Sequence, residues 1–524
     1  MKEKVDLIIT GGTIYTVDEN FSTCEAVAVK DGLIVAVGNH AEIAGKYDAS
    51  NTIDLKGATM YPGFNDAHCH LYMLGIGLKR VDLRGATSFD DVLERLSKRY
   101  EEEKPLFLSG EGWDQNLWSS KEFPDNSRLN ELFPDIPVVL ERVDFHAVIA
   151  NNKAIEMLGI KPGDPSIPEG EAVMKNGRFT GVFLEDTGSG FFRILPEDDK
   201  AFVRDVLTSA EQECFKYGLT SISSAGGELS VLEVLDSMYT EGTLKIRTDN
   251  WMTPTPENLS RFTKPYVNGR LKIGTVKLFI DGALGSRGAL MLEPYSDMKN
   301  TIGLQVITDE ELEKACAWAY EHGFQVATHC IGDAANRKGL EHYKKFLPKG
   351  NDLRWRIEHS QIIDPADFNT FGEYGIVPSI QSTHATSDML WAVDRIGARI
   401  KTAYAYQQLL DQLGWLPNGT DFPVEAVNPI YTFFAAVYRK NLDFVPEEGF
   451  QMENALSKEN ALRSMTIWAA KASFEEDVKG SIQPGKYADF VVLDRDIMTV
   501  DEKEVPQTKV LMTFVGGEQV YSLK

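Results

Sequence analysis

The sequence predicts an α/β protein built on a (β/α)8 barrel of the TIM type, with a composite β-sandwich from both termini and an α/β insertion after the first barrel strand. Short apolar runs alternate with amphipathic helical stretches through the middle of the chain, and strand-like segments with glycine-rich turns occur at both ends. One interval between runs is longer than an ordinary β–α loop. A chain of 524 residues can hold a barrel with such additions.

Both ends of the chain have the composition of β-strands. The first segment contains VDLIITGGTIYTV and EAVAVKDGLIVAVG, in which apolar and polar residues alternate around Gly-Gly and Asp-Gly turns. After Gly485, KYADFVVLDRD and KVLMTFVGGEQVY have the same pattern. Because neither short sheet could bury a core alone, we expect residues 1–59 and 478–524 to pair into one β-sandwich.

Eight short apolar runs predict the strands of the barrel, which we assign to residues 60–75 and 200–477. Helical stretches separate the runs, and EELEKACAWAYEHG, between the fourth and the fifth, has the 3.6-residue period of an amphipathic helix. The runs, in order, are MYPGFNDAHCH, LTSISSAG, KIRTDNW, IGTVKLFID, FQVATH, WRIEH, IVPSIQ and WLPNGTD.

Residues 76–199 interrupt this alternation and are expected to form an inserted subdomain with helices and strands of its own. In a TIM barrel, the segments that leave the C-terminal ends of the strands lie over the active-site face. We therefore expect the insertion to cover the site and to contribute to substrate specificity.

Composition and charge exclude several classes of protein. A formal net charge of -24 disfavours nucleic-acid binding because it repels phosphates. No stretch approaches the roughly 18 consecutive apolar residues of a membrane span, and the N-terminal residues have no export signal, so we expect a soluble, cytoplasmic protein. Five cysteines without a CxxC pair indicate neither a disulfide framework nor a thiolate zinc site.

His68 and His70 stand at the end of the first run. Alternation along a strand places residues two apart on the same face, so both imidazoles can reach one metal ion. Taken alone, the HxH pattern is equally compatible with two polar loop histidines.

Three further side chains stand at the ends of later runs. His329 ends the fifth run, His359 ends the sixth and Asp421 ends the eighth. Each alone could be a helix cap or a satisfied polar group, but parallel barrel strands bring their ends to one face. The set therefore predicts a metal centre, in which Asp421 could bind metal, accept a proton from bound water, or do both in turn.

Lys277 lies near the end of the fourth run, between apolar residues that would lower the pKa of its amine. A neutral amine can add carbon dioxide to give a carbamate, which can bridge two metal ions. The alternative is an ordinary salt bridge to Asp281, and the sequence leaves both open.

The motifs PGFNDAHCH, VKLFIDGALGSRGA, THCIGD, IEHS and GTDFP occur in this order along nearly the whole chain. In this the chain resembles the amidohydrolase superfamily. EGWDQNLW, RVDFHAVIANNKA and the long insertion are similar to amidohydrolase family 3, the YtcJ-like group that includes N-substituted formamide deformylase. The GTD of the last motif replaces the GSD of many relatives and keeps the hydroxyl group.

The resemblance implies a barrel with a composite β-sandwich, and hydrolysis, mostly of C–N bonds, by metal-activated water. It implies that His68 and His70 bind metal, that Lys277 is the bridging carboxylated lysine of binuclear members, and that His329 and His359 bind the second metal. Asp421 takes the position of the catalytic aspartate.

The expected reactants are a small molecule and water. One or two divalent ions are expected at the centre, with zinc as the expected metal and iron or manganese as alternatives. Two alternatives stay open: the same centre hydrolysing an ester, a lactone or a phosphotriester, or a metal-containing binding protein that has lost its chemistry. A homodimer is compatible with the frequency of two-fold oligomers.

Six further residues complete the predicted site. Four are candidates for the substrate pocket, although core packing is the alternative for the aromatic ones: Trp113, His146, Gln381 and His384. Asp66 and Asp281 are candidates for carboxylates that orient metal ligands.

Overall fold

The computed structural model describes residues 2–143, 146–184, 187–188, 190–194 and 199–524. The chain divides into two compact units. The larger unit consists of Met1–Leu71 and Glu211–Lys524, and the smaller one is Tyr72–Ala210. The predicted domain boundaries therefore differ from this division, because the sheet formed by the chain ends and the barrel belong to the same unit.

Strands and helices are numbered in chain order. The strands are β1 (Glu3–Tyr15), β2 (Thr23–Lys30), β3 (Leu33–Gly38), β4 (Tyr47–Asp54), β5 (Thr59–Pro62), β6 (Phe64–Cys69), β7 (Val81–Asp82), β8 (Leu108–Trp113), β9 (Val138–Arg142), β10 (Ala147–Ala150), β11 (Ala172–Lys175), β12 (Arg178–Leu184), β13 (Leu219–Gly227), β14 (Arg247–Met252), β15 (Tyr266–Asn268), β16 (Leu271–Phe279), β17 (Gln325–Cys330), β18 (Arg356–His359), β19 (Val377–Ser379), β20 (Phe490–Leu493), β21 (Val510–Val515) and β22 (Glu518–Ser522).

The α-helices are α1 (His40–Lys46), α2 (Leu71–Lys79), α3 (Phe89–Glu103), α4 (Ser127–Leu132), α5 (Asn152–Leu158), α6 (Lys200–Lys216), α7 (Leu229–Glu241), α8 (Pro256–Arg261), α9 (Asp309–His322), α10 (Asp333–Tyr343), α11 (Phe368–Tyr374), α12 (Ser382–Asp388), α13 (Ala392–Ile396), α14 (Tyr406–Leu413), α15 (Pro429–Tyr438), α16 (Lys458–Ser464) and α17 (Ile467–Ala472). Short 3-10 helices span Gln115–Leu117, Gly190–Ile194, Gly397–Thr402, Met452–Asn454 and Glu502–Gln507.

Strands from the two ends of the chain form one sheet, in the order β22-β21-β20-β5-β1-β2-β3, with β4 paired to β1. The antiparallel pairing of β20 with β5 joins the C-terminal strands to the N-terminal ones. Met60 and Phe490, on these two strands, are fully buried in its apolar core. The expected pairing of the two ends is therefore observed, while the division of this sheet into the two layers of a sandwich stays a prediction.

Seven parallel strands form a second sheet in the order β19-β18-β17-β16-β14-β13-β6, and β15 is added antiparallel to β16. Residues 417–421 nearly close it into a barrel. Asn418 bridges to Ile380 in parallel, and the Asp421 amide donates to the His68 carbonyl over 2.8 Å. Pro417 cannot donate a ladder hydrogen bond and Asp421 has a φ of 62°, which explains why this eighth run is not a regular strand.

The predicted runs coincide with these positions, so the expectation of a TIM-like α/β barrel is confirmed. The first run differs in one respect: MYPGFNDAHCH is divided between β5 in the terminal sheet and β6 in the barrel. The helix predicted after the fourth strand is α9, which begins with a capping box between Thr308 and Glu311 and ends at Gly323.

The smaller unit has its own sheet, in the order β11-β12-β10-β9-β8-β7, and its own apolar core. That residues 76–199 are an inserted subdomain lying over the site stays a prediction. In the described part of the chain, no helix is both long and apolar enough to cross a membrane.

Candidate metal centre

His68 and His70 bracket the end of β6, and their ring centroids are 5.5 Å apart. His68 is fully buried and His70 is partly exposed. The Nε2 atoms of His68 and His70 lie 3.6 and 3.1 Å from the same oxygen, Oδ1 of Asp421. The three side chains form one group whose ligand atoms all lie within 4.8 Å of one another, close enough for a single ion.

The tautomers of His68 and His70 follow from the partners of their Nδ1 atoms. Nδ1 of His68 lies 2.5 Å from Glu358 Oε2, and Nδ1 of His70 lies 3.1 Å from the Ala225 carbonyl. Since a carboxylate and a carbonyl can only accept, each Nδ1 carries a proton, and in the neutral ring each Nε2 then has a lone pair. Two lone pairs and a carboxylate oxygen then converge, an arrangement that a cation stabilises and that is otherwise repulsive. The donor set therefore fits a metal ion.

Asp421 belongs to a second group with His359 and His384, again with ligand atoms within 4.8 Å. Its Oδ2 lies 3.2 Å from His384 Nε2. Burial alone would raise the pKa of Asp421, but the hydrogen bond with His384 helps to hold it well below the usual range. Asp421 is therefore an anion placed between two potential ion positions.

His329 and His359 are neighbours, with ring centroids 4.4 Å apart. Nε2 of His329 and Nδ1 of His359 are buried without a hydrogen-bond partner among the described residues. Burial lowers the pKa of His329 to about 3 and that of His359 well below its ordinary value, so both rings are neutral. A neutral imidazole with an orphaned buried nitrogen fits a metal ligand.

Lys277 projects from β16 into the barrel and is 2% exposed. Its Nζ lies 3.3 Å from His68 Nε2. Burial lowers the pKa of this amine to about 8. The alternative of a salt bridge to Asp281 does not occur, because that carboxylate accepts the backbone N–H groups of Leu290, Ile331 and Gly332.

Asp66 and Asp281 lie close to the proposed ligands, and their role in orienting them stays a prediction. Asp66 accepts from the backbone of His68 and from both the backbone and the hydroxyl of Thr420, which joins the first and eighth positions of the barrel. Asp281 Oδ1 lies 3.6 Å from His329 Nε2. Burial raises the pKa of each carboxyl to about 7.

Arg356 and Glu358 were missed by the sequence interpretation. Both are fully buried, and Arg356 donates to Glu358 over 2.7 Å and to the Ala67 carbonyl over 2.7 Å. Burial would raise the pKa of Glu358, but Arg356 and His68 lower it to about 2. The WRIEH run held a signal, because alternation places its arginine and glutamate on the same face.

The backbone explains how His359 also reaches the site. Strand alternation would put it on the same face as Ile357, which packs near Gly339 of α10. His359 and Ser360 instead have φ values of 70° and 42°, and this left-handed turn at the end of β18 directs the imidazole toward the other ligands.

A cavity of about 410 Å³ contains the centre. All six predicted ligands line it, and so does His384. Its outer lining includes polar and aromatic side chains, namely Gln361, Asp388, Trp391 and Glu425.

The other three candidates for the substrate pocket lie outside the lining of this cavity. Gln381 is buried before α12, and its side-chain amide has no hydrogen-bond partner among the described residues, but it does not line this cavity. Trp113 is 1% exposed in the core of the smaller unit and donates to the Leu140 carbonyl, so its interpretation as a substrate contact was wrong and core packing holds instead. His146 is exposed in the same unit, and its role stays a prediction.

The chain is similar in sequence to known amidohydrolases. The model of the amidohydrolase family matches residues 51–521. The chain is 33% identical over 531 residues to YtcJ of Bacillus subtilis (strain 168), covering 98% of each protein. It is 25% identical over 542 residues to N-substituted formamide deformylase of Arthrobacter pascens, covering 99% of this chain and 98% of that one.

Among solved structures, the chain is similar to an uncharacterized metal-dependent hydrolase from Pyrococcus horikoshii OT3. The TM-score is 0.80 with 29% sequence identity, and the match covers 95% of this chain and 99% of the other. With a family match over nearly its whole length, and with histidines and an aspartate gathered at the mouth of its barrel, the chain belongs to the amidohydrolase family and is a metal-dependent hydrolase.

Proposed function

We propose that the chain hydrolyses a C–N bond of an amide-like, non-peptide small molecule, with Asp421 as the general base and then the general acid. The observation that carries this proposal is the position of Asp421, whose Oδ1 lies 3.6 and 3.1 Å from the Nε2 atoms of His68 and His70. Its depressed pKa keeps it ionised, so it can accept a proton from the attacking water. It then returns that proton to the leaving nitrogen.

Two ions are proposed, with zinc first and iron or manganese as alternatives, because neutral histidines and carboxylates suit these metals. His68 and His70 would hold one ion, His329 and His359 the other, and Asp421 would contact at least one. When bound, such ions acidify a water molecule and polarise the substrate carbonyl.

Lys277 is proposed to be carboxylated. Burial lowers the pKa of its amine to about 8, so a larger fraction of the amine is neutral at pH 7 than for an ordinary lysine. The neutral fraction can add carbon dioxide, and the resulting carbamate would supply anionic oxygen ligands for the proposed ions. Electron density beyond Nζ in a crystal structure would support this, and a bare ammonium with metal bound would refute it.

His384 is proposed to hold Asp421 in place. It lies between Asp421 and Glu425, each 3.2 Å from one of its ring nitrogens, and these carboxylates raise its pKa to about 10 against the effect of burial. As an imidazolium it donates to Asp421 Oδ2, which leaves Oδ1 directed at His68 and His70.

The choice of a C–N bond is supported by a relative at 25% identity whose name states that it deformylates N-substituted formamides. The first experiment therefore measures metal content by mass spectrometry and turnover on matched panels of formamides, alkyl amides, esters and lactones. One or two zinc, iron or manganese ions per chain with turnover of amides is expected. Turnover confined to esters or lactones would replace the proposed bond, and a chain free of transition metal would remove the mechanism.

The Asp421→Asn variant tests the proton transfer. It should keep most of the metal and lose about 100-fold to 10,000-fold in kcat, because the amide cannot accept the proton. Asp364→Asn, at a partly exposed carboxylate that pairs with Arg337 and belongs to neither group of ligands, is the matched control. Full activity in Asp421→Asn would remove the general-base assignment.

A further inference from the structure

A second cavity, of about 680 Å³, lies beside the catalytic one. It is larger than the catalytic cavity and falls within the size range of small-molecule pockets. Its walls come from the end of β16, from the segments after β14 and before α9, and from α9 itself. The side chains in these walls are mostly apolar: Pro254, Pro256, Leu259, Leu278, Phe279, Val306, Ile307, Ala315 and Trp318.

Two residues, Lys277 and Phe279, line both cavities. The Phe279 ring lies 5.5 Å from the His329 ring, and Lys277 Nζ lies 4.7 Å from the centre of the Phe279 ring. Phe279 is 42% exposed although it is a large apolar side chain. The apolar cavity therefore begins at the edge of the metal centre, with one aromatic ring between them.

The walls of this cavity are built from stiff elements. Lys314, Ala315 and Trp318 lie on one side of α9, while Leu312 and Cys316 bury its other side in the core. The capping box holds the first turn of this helix. On the facing wall, Pro254 and Pro256 have fixed backbone angles.

The two cavities differ in chemistry. The catalytic cavity combines histidines and carboxylates with apolar side chains such as Leu284, Ile331 and Val424, whereas no histidine or aspartate is among the described residues that line the second cavity. In the apolar cavity, Glu311 and Lys314 are exposed. Apart from the Lys277 amine, which is directed at His68, the described lining offers no buried charge to pair with an anionic or cationic ligand, so it favours an uncharged apolar one.

We propose that the apolar cavity is a substrate subsite, which takes an alkyl chain or an aromatic ring carried by the molecule that is cleaved at the metal centre. This inference rests on the proposed function and extends it to a substrate class: amides with a sizeable apolar substituent. Removing such a substituent from water is what favours binding there, by about fourfold in affinity for each methylene group.

The test compares acetamide, butanamide, hexanamide and octanamide. The ratio kcat/KM should rise about fourfold per methylene until the cavity is filled. Ala315→Trp places an indole in the cavity and should abolish this rise. Ala317→Trp, an exposed position on the same helix, is the matched control and should keep the rise. Equal chain-length dependence in wild type and Ala315→Trp would overturn the proposal.

Calorimetric titration of octanamide and acetamide separates the subsite from the reaction. Tight octanamide binding that Ala315→Trp weakens, without hydrolysis, would support the subsite and reject the amide reaction. Hydrolysis that does not depend on chain length would reject the subsite and leave the reaction standing.

If Ala315→Trp does not fold, Val306→Asp puts a charge at the exposed wall and should weaken octanamide binding. A dimer that dissociates in either variant would identify the cavity as a subunit interface and overturn the proposal.

Discussion

Two consecutive strands, β5 and β6, are both completely buried and yet serve opposite purposes. β5 places Met60 in the apolar core of the terminal sheet. Directly after it, β6 buries Asp66 and His68 inside the barrel. Buried apolar side chains stabilise a fold, whereas buried polar groups destabilise it unless hydrogen bonds or a metal ion satisfy them. The comparison indicates that burial in the terminal sheet maintains the fold, and that burial in the barrel prepares the chemistry.

Removal of the metal should have the largest effect on turnover, and the structural consequences should be confined to the barrel. Dialysis against a chelator is expected to abolish turnover, because the lone pairs of His68 and His70 then have no cation to act on. Zinc should restore activity. The measurement is turnover against metal content, with circular dichroism as the control for folding. Full turnover by the metal-free protein would show that the buried polar groups of the barrel do not serve metal-dependent catalysis.

Lys277→Ala should follow, with a decrease of about 100-fold or more in kcat and a loss of metal, because the proposed bridging ligand is absent. Lys272→Ala, on the same strand, is a suitable control, since that amine donates to the carbonyl of Ser473. Lys272→Ala should retain its metal. Unchanged metal content and kcat in Lys277→Ala would show that the amine has only a packing role.

Glu358→Gln should weaken metal binding by about 10-fold to 100-fold, because the carboxylate that fixes the His68 tautomer is lost. The measurement is competition with a chromophoric chelator, which reports affinity without turnover. Glu341→Gln, an exposed position on α10, makes the same chemical change away from the site. If both variants bind metal equally well, Glu358 does not position His68.

Phe490→Ala should have the smallest effect on turnover and a large one on stability. The ring is fully buried in the terminal sheet, and its loss is expected to lower the free energy of unfolding by about 3–5 kcal/mol. Metal content and kcat of the folded protein should not change. Denaturant unfolding with parallel metal analysis checks this, and metal loss before unfolding would show that the two regions are not separable.

Most of the fold could be predicted because strand runs and helical periods are local signals. The eight apolar runs and the strand-like ends are visible without knowledge of any long-range contact. The eighth run was predicted as a strand, but Pro417 and the left-handed turn at Asp421 leave it as a closing segment. The sequence pattern detects apolarity and does not detect this departure.

The candidate site could be predicted only in part. His68, His329 and Asp421 end their runs, so their convergence follows from barrel topology. Arg356 and Glu358 were missed because their partners lie far away in sequence: Glu358 meets His68 across 290 residues. Trp113 was misinterpreted because an aromatic residue in a motif has the same sequence signal whether it packs in a core or contacts a ligand.

Asp66 accepts hydrogen bonds from β6 and from the segment that closes the barrel. A single carboxylate therefore links the first and the last strand positions at the junction where they meet. The proposed ligands His68 and Asp421 lie on the two sides of this junction. A chain emerging from the ribosome therefore cannot assemble the centre until residue 421 has been synthesised and docked. Metal binding at this centre is therefore expected to require a complete barrel, since a chain that ends before residue 421 lacks the carboxylate of Asp421.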